Sequence, residues 1–149
     1  FRAPTMAEAK AMSQRAVECA EGACQMAGTT LKTSMYECPY EDNKINYTLC
    51  SLLEKQYVEL GLSDIQPVDE VPGGSSDIGA VSYRCPALHG YIQICGCEVT
   101  GHSREMAAAT ISPQGCAGLE NGASALAMCA VELASDPQLL RQGKEEFAR

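Results

Sequence analysis

Residues 5–38 read TMAEAKAMSQRAVECAEGACQMAGTTLKTSMYEC, and the change of period inside this stretch decides how the fold is read. Thr5 and Glu8 stand three apart as T-x-x-E, a capping box in which each side chain satisfies a backbone N–H left open at a helix start. Met6, Ala9, Ala16, Val17, Ala20, Cys24 and Ala27 then share one stripe at helical period, while Glu8, Lys10, Arg15, Glu18 and Glu21 lie elsewhere on the wheel. Gly28 is a natural stop, because it adopts left-handed backbone angles without a Cβ penalty. The period then drops to two: Leu31, Thr33 and Met35 point one way, Lys32, Ser34 and Tyr36 the other. This pattern predicts a helix over 5–27 and a half-buried strand over 29–38.

Phe1-Arg2 reads as the tail of an earlier strand. A strand, helix, strand unit with a right-handed crossover is one half of a ferredoxin-like layer, and the small residues of the helix stripe suit close packing on a sheet. The polar, turn-like run from Pro39 to Asn46 places a domain boundary near residue 41, dividing the chain into 1–40 and 41–149. Asn46 is expected to cap a helix carrying Leu49, Leu52, Leu53, Gln56, Tyr57 and Leu60, with Gly61 ending it. Residues 78–84 and 91–97 are expected strands, although the first could open as a short helix behind Asp77. Ser103 could cap a short helix over 104–109. An Ala- and Leu-rich segment over 117–134 reads as a buried helix, and Asp136-Pro137 opens a final one carrying Leu139, Leu140 and Phe147. The expected class is α/β overall, α+β within this stretch of chain.

Bulk composition excludes some partners. The 149 residues carry a net charge of −8, with 46% hydrophobic and 20% charged residues, ordinary for a globular protein. A polyanion would be repelled, so neither nucleic acid nor an anionic membrane surface is an expected partner. No apolar run approaches the roughly 18 residues needed to cross a bilayer, and no signal-peptide pattern is present. The opening Phe1-Arg2-Ala3-Pro4 lacks Met and reads as a sequence entered midway. Nine cysteines, an odd count, stand at 19, 24, 38, 50, 85, 95, 97, 116 and 129. Cys24, Cys50 and Cys129 lie on or beside apolar helix faces, which favours reduced thiols used as small hydrophobes in a cytoplasmic protein. Cys95-Gly96-Cys97 is the only close pair, and it lacks the second pair that a four-ligand zinc cluster needs.

Chemistry concentrates at two places. Gly73-Gly74-Ser75-Ser76-Asp77 is a glycine- and hydroxyl-rich turn able to bring backbone N–H groups close to a substrate carboxylate or carbonyl oxygen. Asp77 within it has turn or N-cap chemistry as its plain role and direct catalysis as the alternative. The second place is Gly101-His102-Ser103, where a histidine sits at a loop-to-helix junction. His89, between Leu88 and Gly90, reads as a hydrogen-bonded structural residue.

Taken in order, these segments resemble the M20 family of metallopeptidases and amidohydrolases, and within it the aminoacylase-1-like-2 and aminobenzoyl-glutamate hydrolase branch. Phe1-Arg2-Ala3-Pro4-Thr5, Ala20-Glu21-Gly22-Ala23 and Ala27-Gly28-Thr29 resemble the second half of the family's lid, or dimerisation, domain. Asn46 with Glu59-Leu60-Gly61 resembles the return into the catalytic domain. Residues 74–82 resemble the G-S-T-D-x-G-x-V-S loop, with Ser76 keeping the hydroxyl of the usual threonine. Gly101-His102-Ser103 resembles the segment with the last metal-ligand histidine, and Asp136-Pro137-Gln138-Leu139-Leu140 the closing helix. The resemblance implies a ferredoxin-like lid over 1–40 followed by the C-terminal part of a zinc-peptidase-like α/β catalytic domain over 41–149. It implies amide hydrolysis in an N-acyl amino acid or dipeptide, with His102 as a ligand of a divalent metal (zinc, or manganese or cobalt). Gly74, Ser75 and Ser76 would line the substrate pocket. A homo-oligomer through the lid is implied as well.

The resemblance places the remaining metal ligands and the general-base glutamate upstream of Phe1, in the N-terminal half of the same protein. The metal site is therefore incomplete here, no catalytic residue is assigned, and the chain alone is expected to be inactive. Two alternatives stand beside this reading: a non-catalytic dimerisation or interaction module that keeps the fold, and a cysteine-based metal or redox protein using Cys95 and Cys97.

Overall fold

The computed structural model describes residues 1–66 and 76–149. They form two compact units, one of Phe1–Lys44 with residues 76–84, the other of residues 45–66 with Cys85–Arg149.

In the first unit the long helix α1 spans Met6–Ala27. The expected capping box is formed: Thr5 Oγ1 accepts from the Glu8 N–H at 3.3 Å, and the Glu8 carboxylate accepts from the Thr5 N–H at 3.1 Å. Gly28 closes the helix at φ 67°, its N–H directed to the Cys24 and Gln25 carbonyls. The apolar stripe is only half-buried, and no residue of α1 is fully buried. A five-residue helix α2 follows at Ile78–Ser82.

The second unit holds four helices: α3 (Tyr47–Glu59), α4 (Arg104–Thr110), α5 (Pro113–Ser135) and α6 (Pro137–Phe147). Each starts with a side-chain cap. Asn46 Oδ1 accepts from the Leu49 N–H at 3.1 Å, Ser103 Oγ from Met106 at 3.0 Å and Ser112 Oγ from Gly115 at 3.0 Å. Asp136 Oδ1 accepts from both Gln138 and Leu139. Helix α5 begins a turn before the expected 117, because Ser112-Pro113 supplies a cap and a proline at the first helical position, where its missing N–H costs nothing.

The core of this unit lies where α3 meets α5. Leu52, Leu53, Ala125 and Cys129 are buried there, and Tyr57, Leu60, Leu88, Leu133 and Leu139 pack around them. Gln56, at 1% exposure, donates to Glu132 at 2.8 Å, and Lys55 reaches the same carboxylate at 2.7 Å. Helix α6 closes over the start of α3. Buried Asn46 donates to the Gly143 carbonyl at 2.9 Å, while the Glu146 carboxylate accepts from the Tyr47 and Thr48 N–H groups at 2.8 and 2.9 Å. A carboxylate placed on the open N–H groups of a helix start also complements the helix dipole. Along α5, Leu119, Leu126 and Val131 are exposed, as is Ile111 just before it.

The expectation of an α/β class with a ferredoxin-like lid and an α/β catalytic domain is corrected here. Among the described residues there are helices and no strand. Residues 29–38 form no ladder, and Met35 and Tyr36 are 74% and 93% exposed, so their alternation is not matched by a buried face. Phe1-Arg2 is not a strand, nor are residues 91–97. Residues 78–84 take the helical alternative as α2. The physical reason is that alternation describes one segment, whereas a strand exists only when its backbone N–H and C=O groups meet those of a neighbour.

Candidate functional site

Of the three residues expected to line a substrate pocket, Gly74 and Ser75 lie outside the described residues. Ser76 is half-buried at the entrance to α2, and its Oγ accepts from the Ile78 N–H at 3.4 Å. Asp77 is exposed and makes no side-chain capping bond, so the cap expected of it falls to the Ser76 hydroxyl.

What holds α2 is the segment just before the second unit. Ser82, at 1% exposure, accepts from the Lys44 N–H at 2.8 Å and donates to the Gly79 carbonyl at 2.7 Å. Gly79 is pressed onto the Glu41 carbonyl: an added Cβ would sit 2.7 Å from the Glu41 carbonyl carbon and 3.1 Å from the Asp42 carbonyl oxygen. Asp42 accepts from the Met6 N–H and from the Tyr83 O–H, both at 2.8 Å. These bonds, the Met6 N–H foremost and the Tyr83 hydroxyl also, outweigh the opposing effect of burial and hold its carboxyl below the usual range. The same phenol bond raises the Tyr83 pKa. Arg84 pairs with Glu41 at 2.8 Å and also reaches the Ala80 carbonyl. None of Asp42, Gly79 or Ser82 was singled out from sequence for this junction. The visible signal was a glycine and a serine three apart in a small-residue run, but its partner segment is 38 residues away.

His102 stands in the second unit. It is exposed, in the turn before α4, and is one of two described non-glycine residues with positive φ, at 59°. Histidine tolerates this region better than most side chains, yet the conformation costs on the order of 1 kcal/mol or more. Ser103, next along, caps α4 as expected. His89 stacks at a tilt on Tyr91, with ring centroids 4.8 Å apart. Near the Cys95–Cys97 pair, the Gln93 amide donates to the Cys95 carbonyl at 2.9 Å and lies 3.9 Å from Cys97 Sγ.

The divalent metal implied by the resemblance would need several converging donors. Among the described residues no three His, Cys, Asp or Glu side chains converge as a metal site would require. His102 supplies a single donor, too few to hold a metal ion by itself. No helix among the described residues is long and apolar enough to cross a membrane.

No family model matches the chain. Two curated proteins do. The chain is 32% identical over 149 residues to the Xaa-Arg dipeptidase of Mus musculus, and 29% identical over 149 residues to the Xaa-Arg dipeptidase of Homo sapiens. Each alignment covers 99% of this chain and 34% of the relative. The chain thus spans about a third of the length of the curated relatives it matches, and over that third it is related to proteins named as peptidases.

Proposed function

We propose that this chain is part of a dipeptide-hydrolysing enzyme of the M20 kind. The observation that carries this is the similarity to Xaa-Arg dipeptidases, at 32% identity over an alignment that covers 99% of this chain and 34% of the relative. A cationic dipeptide suits a chain of net charge −8, since opposite charge raises its local concentration near the surface. The narrower branch, with an aminobenzoyl-glutamate substrate, receives less support, because that substrate is anionic and the named relatives act on Xaa-Arg dipeptides.

In this reading His102 is one ligand of a divalent metal whose other ligands lie in the rest of the enzyme. Its positive φ is the structural observation in favour: strained backbone at a polar, exposed residue is more common where a side chain must be aimed. Ser76, with Gly74 and Ser75, lines the dipeptide pocket. Residues 1–40 take part in oligomer formation and residues 41–149 in the catalytic domain. The 149-residue chain alone turns over no dipeptide.

The test is hydrolysis of a dipeptide with C-terminal arginine by the whole protein, wild type beside His102→Ala, with bound metal measured in both. Loss of both metal and turnover in the variant is the expected result. Full activity in the variant removes His102 from the site. A wild-type protein that leaves the arginine dipeptide intact rejects the dipeptidase reading itself.

A further inference from the structure

Residues 41–44 join two pieces of the first unit that are far apart in sequence, the start of α1 and the α2 segment. One carboxylate oxygen of Asp42 is committed to the first N–H of α1, at Met6, and the other to Tyr83, the residue that ends α2. The Lys44 N–H reaches the buried hydroxyl of Ser82, and the Glu41 carbonyl fills the space a side chain at Gly79 would need. Helix α2 has five residues, too few to be stable by its own hydrogen bonds. Its place is therefore set by these contacts. Ser76 lies two residues before its first residue and is tied to it through the Ile78 N–H.

We infer that Asp42 is a positioning residue, which through Tyr83 and the start of α1 fixes α2 and with it the Ser76 turn. The link to substrate rests on the proposed role of Ser76 in lining the pocket. Because each Asp42 oxygen serves a different element, a displacement of the α1 start is passed to the Ser76 turn through one side chain. Asp42 and Tyr83 touch no reacting group in this reading. Their loss affects how well substrate is held rather than how fast it reacts.

The experiment has two readouts. Amide exchange is measured on the 149-residue chain for wild type, Asp42→Ala and the milder Tyr83→Phe, which keeps the ring. Exchange over 76–84 is expected to rise about tenfold in both variants, as loss of a charge-assisted hydrogen bond implies, with α5 unchanged as the internal control for folding. In the whole protein the same variants are expected to raise KM for an arginine dipeptide several-fold, with kcat within twofold of wild type. Unaltered exchange over 76–84 overturns the positioning role whatever the kinetics show. Faster exchange with unaltered KM overturns the link from α2 to the substrate. Absence of turnover in the wild-type protein counts against the dipeptidase reading, and the exchange result still decides the role of Asp42.

Discussion

Two glycine-to-alanine substitutions set the same added methyl group against opposite surroundings. Gly22 and Gly79 both lie inside helices, where alanine is favoured over glycine by about 0.8–1 kcal/mol. Around Gly22, five residues before the end of α1, an added Cβ meets nothing within 4 Å. Gly22→Ala therefore keeps that gain and is expected to stabilise α1 by about 0.5–1 kcal/mol. At Gly79 the added atom overlaps the Glu41 carbonyl, 2.7 Å from its carbon, and lies 3.1 Å from the Asp42 carbonyl oxygen. These are backbone atoms with no rotamer to change, so either α2 or residues 41–44 must move. Overpacking of this kind costs about 1–3 kcal/mol, and the movement also strains the bond from the Lys44 N–H to buried Ser82, worth about 1 kcal/mol. After subtracting the helix gain, Gly79→Ala is expected to loosen α2 by about 1–3 kcal/mol. Amide exchange over 76–84 measures this directly, with α5 as reference. Exchange in Gly79→Ala as slow as in wild type would refute the argument, because it would mean the 41–44 backbone yields at no cost.

Other expectations follow from the same contacts. Asn46→Ala removes both a helix cap and the buried bond from the Asn46 amide to the Gly143 carbonyl, so the urea midpoint should fall by an amount equivalent to about 2 kcal/mol; a change under half of that would contradict the double role. The Asp42 carboxyl, held low first by the Met6 N–H, stabilises the first unit above the ordinary carboxylate pKa of about 4, and that stabilisation is lost as pH falls through the lower folded value. Asp42→Asn should therefore show a shallower loss of stability between about pH 5 and 3, and parallel acid curves would argue against it. Burial raises the Cys129 pKa, so alkylation at neutral pH should modify exposed Cys19, Cys38 and Cys97 well before Cys129; early labelling of Cys129 would mean the α3–α5 core opens readily. His102→Gly relieves the positive φ and should leave thermal stability equal or raised by up to about 1 kcal/mol, whereas a clear loss would assign the imidazole a packing role.

The helices were largely legible because their signals are local. A cap and the N–H it satisfies are three residues apart, so Thr5, Asn46, Ser103 and Asp136 announce their helices within a single turn. Ser112-Pro113 carries the same information, but its signal is shorter than that of the Ala-rich run that follows it. The strands were not legible in the same sense. Leu31 and Met35 alternate with Lys32 and Ser34, but alternation states only that one side is more apolar, and a ladder is a property of two segments. The candidate site divides the same way. Histidine between Gly101 and Ser103 could be read from its neighbours, whereas the importance of Asp42 depends on Met6 and Tyr83, 36 and 41 residues away.

The first unit is discontinuous, since residues 45–66 of the second unit fall between its two parts. During synthesis, α1 and the 41–44 segment emerge well before the α2 residues that complete their junction. Helix α3 waits longer: Leu52 and Leu53 leave the ribosome before Ala125 and Cys129, the residues that bury them. At about 5–20 residues per second, the roughly 75 residues between them take on the order of 4–15 s to translate. For that interval a nascent chain displays an amphipathic helix with its leucines uncovered, which is the kind of segment chaperones bind. Slowing translation beyond residue 60 would lengthen this exposure, and co-translational aggregation would be the penalty.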